Sequence, residues 1–165
     1  INHPAKVCSL TSIMSMTGNR RHGQPKPSLL VKGARLPERT IHTAHEVGAE
    51  MWRLTAGPSY DPVEAQRMTE ASIARSFRPA GNGRQTAAIL ASPDRTAGLR
   101  QVRVPTLVIW GENDLALDIN LLDGMEEWVP DLTVHRLPGI SHWVQQDAPE
   151  EVNRLLDDWL EKPVS

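Results

Sequence analysis

The chain has 165 residues, 39% of them apolar, and 18 Lys+Arg against 20 Asp+Glu give a formal net charge of −2. That composition allows an ordinary globular core. No apolar run approaches the roughly 20 residues of a membrane span, the start has no charged stretch leading into an apolar one, and the single cysteine, Cys8, forms no internal disulfide. The basic residues are not interleaved with aromatics, which argues against nucleic acid. Together these features predict a cytoplasmic protein with neither a membrane nor a nucleic-acid partner.

Charge is uneven along the chain. Residues 1–103 carry 15 Lys+Arg and 7 Asp+Glu, a balance of +8, whereas residues 104–165 carry 3 and 13, a balance of −10. Solvated helix faces of opposite sign account for this pattern. A basic lid attracting anionic substrates over an acidic base is the functional alternative.

In chain order, Ile1-Asn2-His3-Pro4 reads as a helix end, because proline disfavours helical geometry in the residue before it. Lys6 to Met14 then mixes apolar and small residues as a strand does, and residues 15–27 are rich in loop formers. From 28 to about 98 the pattern is helical. One helix is predicted over Glu38 to Leu54, ended by Gly57-Pro58. A second starts with Asp61 as cap, Pro62 at the first position and Glu64 closing a capping box, and a third covers Arg84 to Ala91.

The most informative stretch follows. Val104-Pro105-Thr106-Leu107-Val108-Ile109-Trp110-Gly111-Glu112-Asn113-Asp114 is a β-branched, apolar run stopped by a polar turn, the signature of a strand buried on both faces. Leu117, Leu121, Leu122, Met125 and Trp128 fall on one helical stripe. Leu132 to Leu137 is another short strand, left through Pro138-Gly139-Ile140-Ser141-His142. A last helix has Asp147 as cap and Val152, Leu155, Leu156, Trp159 and Leu160 as its apolar face. The acid and the histidine thus follow the ends of neighbouring strands, the edge of an open α/β sheet where sites collect.

Residues 105–114, followed by Gly139-Ile140-Ser141-His142-Trp143-Val144 and a terminal helix, resemble the last two strands of the α/β-hydrolase family. The resemblance implies a nucleophile, acid and histidine in that chain order, with Asp114 and His142 as the matching acid and histidine. It implies an α/β fold in which this chain is the C-terminal part of the sheet, with about three parallel strands visible. Residues 1–18 and 99–165 are then a partial core, and residues 19–98 an inserted helical cap. The cap segments 12–19 and 89–95 resemble bacterial serine esterases near aclacinomycin methylesterase. The tail is closer to epoxide hydrolases and haloalkane dehalogenases.

For a serine nucleophile, the resemblance makes His142 the base and Asp114 the group that orients it and stabilises the imidazolium. For an aspartate nucleophile, His142 activates water instead. Taken singly, Asp114 is equally at home in an Asx-type turn and His142 in a loop. No Gly-x-Ser-x-Gly occurs in the chain, so the parent protein is expected to carry the nucleophile elsewhere. Ser12 and Ser15 are displaced candidates beside the first strand. Trp143, next to the histidine, is a candidate for lining an acyl or alkyl pocket. Tyr60, a second candidate for contacting substrate, is the only tyrosine; epoxide hydrolases typically use two, which favours a carboxylic ester over an epoxide as substrate. His22 and His135 lack companions at metal-ligand spacing, and neither metal nor organic cofactor is inferred. The remaining alternative is a non-catalytic fragment that folds only with the missing N-terminal half or by self-association.

Overall fold

The protein is described from a computed structural model comprising residues 1–58 and 60–161. Position 59 of the 19–98 segment and the last four positions of the 99–165 segment lie outside the described residues. The sheet has three parallel strands, β1 (Leu10–Ile13), β2 (Thr106–Gly111) and β3 (Leu132–Leu137), in the order β1-β2-β3. Leu10 pairs with Thr106 and Ile13 with Ile109; on the other side Thr106 pairs with Leu132 and Gly111 with Leu137.

β2 is buried at all six positions, the reason its sequence is continuously apolar rather than alternating. Leu107 and Ile109 face a core shared with Leu137, Val144, Val152, Leu155 and Trp159. Val108 and Trp110 face the other side, against Leu122 and the partly buried Leu117, Ile119, Leu121 and Met125. The first side is covered by α5 (Val144–Asp147) and α6 (Pro149–Leu160). Between β1 and β2 the chain forms four helices, α1 (Pro27–Gly33), α2 (Ala44–Thr55), α3 (Pro62–Arg75) and α4 (Pro79–Ala91).

Several elements differ from their sequence reading, each for a local reason. The residues before Pro4 are not helical; Pro4–Lys6 is a single 3-10 turn. The first strand keeps only Leu10–Ile13 of the nine residues predicted: Lys6 belongs to the 3-10 turn before it, and at its far end Met14 takes a left-handed φ of 43° and turns the chain off the sheet. α2 starts at Ala44 rather than Glu38, since the Thr43 hydroxyl donates to the Glu38 carbonyl and accepts from the Thr40 amide, tying 38–43 into a turn. α3 begins as predicted at Pro62, with the Asp61 carboxylate accepting from the Val63 amide at 2.8 Å, but Glu64 pairs with Arg67 instead of closing a capping box. α4 extends back to Pro79, through Gly81 and Gly83.

The stripe from Leu117 to Trp128 buries its side chains without forming an α-helix. Two 3-10 turns, Ile119–Leu122 and Met125–Glu127, are separated at Gly124, whose φ of +68° breaks a helix. At the last helix, Ala148 holds the cap position and Asp147 is engaged elsewhere. Of the predicted apolar face, Val152, Leu155 and Trp159 are buried and Leu156 packs partly, while Leu160 is 70% exposed.

Candidate functional site

Parallel pairing puts the carboxyl ends of β2 and β3, at Gly111 and Leu137, at one edge of the sheet. Each strand then turns. The Glu112 amide donates to the Leu137 carbonyl at 3.1 Å and the Asn113 amide to the Ile140 carbonyl at 2.9 Å, so the two turns are bonded to each other before either reaches its functional residue. Gly111 is required at this crossing: a Cβ there would collide with the Ser141 carbonyl and lie 2.7 Å from that of Ile140. Gly139 supplies the left-handed φ of +78° that reverses the chain after β3.

Asp114 and His142 meet at this edge. The carboxylate is buried, with its Oδ2 2.9 Å from His142 Nδ1, and its side chain is 1% exposed against 22% for the imidazole. Oδ1 accepts from the Ala116 amide at 2.6 Å. One oxygen therefore closes an Asx-type turn, and the other faces the histidine. An ionised carboxylate only accepts, so Nδ1 carries the proton and Nε2 is left with its lone pair free. The arrangement can hold an imidazole in one tautomer and stabilise its cation on proton uptake.

Among the described residues, no serine hydroxyl is bonded to His142 Nε2. Ser12 and Ser15 bond each other at 2.7 Å and border a separate cavity of about 480 Å³ against the Val108 and Trp110 side of the sheet. They do not join the pair. Ser141, immediately before the histidine, is fully buried, and its amide and hydroxyl both donate to Asp147. Asp147 thus anchors the histidine turn instead of capping α6.

Trp143 is built into the boundary between the histidine turn and α2. Its indole stacks on Trp52, with ring centroids 4.5 Å apart, and its N–H donates to the Thr55 hydroxyl at 2.7 Å. Thr55 in turn donates to the Met51 carbonyl at 2.8 Å. The His142 ring lies edge-on, 5.2 Å from Trp143. The opposite boundary of Trp143 is a cavity of about 450 Å³ bordered by α2, α3 and α4. Tyr60, in the α2–α3 connection, does not border that cavity. Trp52, Thr55 and Asp147 therefore support the histidine turn in ways their sequence positions did not signal. Among the described residues no group of three or more His, Cys, Asp and Glu side chains could hold a metal, and no helix is long and apolar enough to cross a membrane.

No protein-family profile matches the chain. Among curated proteins it is 40% identical over 62 residues to bifunctional epoxide hydrolase 2 of Sus scrofa, covering 38% of this chain and 11% of that protein. It is 39% identical over 64 residues to epoxide hydrolase 3 of Xenopus tropicalis, covering 38% and 17%. The chain therefore matches well under a fifth of the length of these relatives. Among solved structures, an esterase from Thermogutta terrifontis superposes with a TM-score of 0.72 at 19% identity, covering 99% of this chain and 59% of that one. The esterase RhEst1 from Rhodococcus sp. ECU1013 gives 0.71 at 18%, covering 98% and 58%. Three parallel strands in the order β1-β2-β3, flanked by helices and superposable over almost their whole length on such enzymes, make the fold of this chain that of the α/β-hydrolases, in partial form.

Proposed function

We propose that Asp114 and His142 are the acid and base of a carboxylic-ester hydrolase whose nucleophile lies outside these 165 residues. The observation that carries this reading is the 2.9 Å bond between a buried carboxylate and a half-buried imidazole at the carboxyl edge of a parallel sheet. The Nε2 atom takes the nucleophile's proton as the ester carbonyl is attacked and returns it to the leaving alcohol; Asp114 stabilises the imidazolium between the two steps. Residues 19–98 are the cap over this edge, and residues 1–18 with 99–165 the core beneath it. A cytoplasmic location fits the single, exposed Cys8.

Epoxide opening is the second reading, favoured by the 40% and 39% identities to epoxide hydrolases. There, His142 would activate water against an ester formed on an aspartate. The lone tyrosine, Tyr60, outside the cavity beside Trp143, supports the carboxylic ester instead. Residues encoded immediately before Ile1 test both: a serine on a strand-to-helix elbow supports ester hydrolysis, an aspartate there supports the epoxide, and unrelated sequence overturns the pairing. Hydrolysis of a p-nitrophenyl ester by the protein carrying that elbow should then disappear in His142→Ala. Turnover that survives the substitution would remove His142 from the mechanism.

A further inference from the structure

Asp147 is bonded to the chain on both sides of His142. Its Oδ2 atom accepts from the Ser141 amide at 3.0 Å and from the Ser141 hydroxyl, while its own amide donates to the Trp143 carbonyl at 2.8 Å. The two flanking residues are also joined to each other, since the Trp143 amide donates to the Ser141 hydroxyl oxygen at 3.4 Å. His142 lies between them, enclosed by this ring of bonds. The backbone geometry of the turn, and with it the rotamers open to the imidazole, follows from where Asp147 sits. α6 makes no claim on that carboxylate: it begins at Pro149 behind Ala148, with no side-chain cap bond.

Two other elements close on Ser141, which is fully buried. A Cβ at Gly57, in the connection between α2 and α3, would lie 3.0 Å from the Ser141 Cβ, and one at Gly111, at the end of β2, would collide with the Ser141 carbonyl. A buried amide and a buried hydroxyl each need an acceptor, and the Asp147 carboxylate serves both. Bonds to an ionised carboxylate are also the stronger kind. Donors left without it would drive the turn to rearrange towards another acceptor, and the residue that moves with Ser141 is His142. The demand on that residue is narrow. Nδ1 has to stay 2.9 Å from Asp114 Oδ2 while Nε2 stays in line with a nucleophile, and a displacement of about 1 Å in such an arrangement can cost about 10²-fold in rate.

We propose that Asp147 is a positioning residue: through Ser141 on one side and Trp143 on the other, it holds the His142 backbone where the imidazole meets both Asp114 and the nucleophile. That the imidazole so placed works as a base rests on the ester-hydrolase reading; its placement does not.

The test compares Asp147→Ala, Asp147→Asn and Ser141→Ala in the nucleophile-bearing protein. It reads p-nitrophenyl ester turnover, the His142 Nδ1 proton resonance by NMR, and the urea midpoint, which shows that each variant is folded under assay conditions. For Asp147→Ala, kcat is expected to fall about 10²-fold with KM within about twofold of the unsubstituted protein, and the Nδ1 resonance to shift or broaden. Asp147→Asn keeps an acceptor oxygen of the same reach and should bring kcat back to within about tenfold and the resonance back into place. Ser141→Ala removes one of the two donors and serves if Asp147→Ala does not fold; a smaller loss in kcat and a moved resonance are expected. A folded Asp147→Ala with kcat within about threefold of the unsubstituted protein, a change in KM alone, an unmoved resonance, or an asparagine variant no better than the alanine one would overturn the positioning role. If ester turnover is absent or survives His142→Ala, the hydrolase reading fails, and the Nδ1 resonance in the same variants still decides the placement.

Discussion

Asp114 uses its two carboxylate oxygens for different purposes. Oδ1 secures its own turn through the Ala116 amide, and Oδ2 holds the imidazole of His142. Asp114→Asn can keep the first bond, but an amide presents either a donor or a weaker acceptor to Nδ1, so the ring loses its enforced tautomer. In the Ser-His-Asp template the same change lowers kcat by about 10⁴. A loss of that order in ester turnover, with the unfolding midpoint little changed, is expected for Asp114→Asn in the nucleophile-bearing protein; near-wild-type kcat would exclude the orienting role. Thr55 acts one residue further from the chemistry. Thr55→Val is close in shape but leaves the Trp143 N–H without its acceptor, which costs about 1–2 kcal/mol in chemical denaturation. Thr55→Ser should restore most of that, because the bond needs only the hydroxyl.

Close approach between elements is controlled by two glycines with different neighbours. At Gly111 an added methyl group meets backbone, the carbonyls of Ser141 and Ile140, neither of which can rotate away. Gly111→Ala is therefore expected to push the β2 and β3 turns apart, to cost about 1–3 kcal/mol or more, and to weaken the Asp114–His142 bond, seen as a change in the imidazole proton resonance. At Gly48 the obstacle is the Thr69 side chain, stiff because it is β-branched and buried between α2 and α3. Helix propensity alone would favour Gly48→Ala by about 1 kcal/mol, and the overpacking cost of about 1–3 kcal/mol opposes it. Net destabilisation is the expected outcome in a urea titration. A stabilised variant would show that α2 and α3 separate at little cost.

Across the whole molecule, the two outer strands are unequal. β3 carries His135 and Arg136, charged or chargeable groups that discourage pairing with another chain. β1 has no charged residue and only four positions, none of them buried, and Leu10 and the nearby Val7 are 38% and 42% exposed. Amides of residues 10–13 should therefore exchange with solvent well before those of 106–111, which lie in a strand buried throughout. Light scattering should rise with concentration as β1 edges associate. A monomer at every concentration, with β1 as protected as β2, would contradict both expectations.

The central strand, the placing of Asp114 and His142 just past the ends of neighbouring strands, the Asp61-Pro62 helix start and the apolar face of α6 were legible in the sequence. Each rests on local chemistry: a continuous apolar run, a proline that fits only the first helical turn, a periodicity of one helix face. The three-strand class of the sheet was legible by resemblance. Other features depend on what residues far apart in the chain bring together. Asp147 looked like a helix cap because the residues after it form a helix, but the Ser141 amide and hydroxyl, placed by the β3 turn, take its carboxylate. The stripe from Leu117 to Trp128 had helical spacing, yet Gly124 and the sheet face beneath it are served by two short turns. Trp143 and Thr55 lie 88 positions apart, and only the packing of α2 against the histidine turn brings the indole N–H to the hydroxyl; sequence spacing carries no record of that burial.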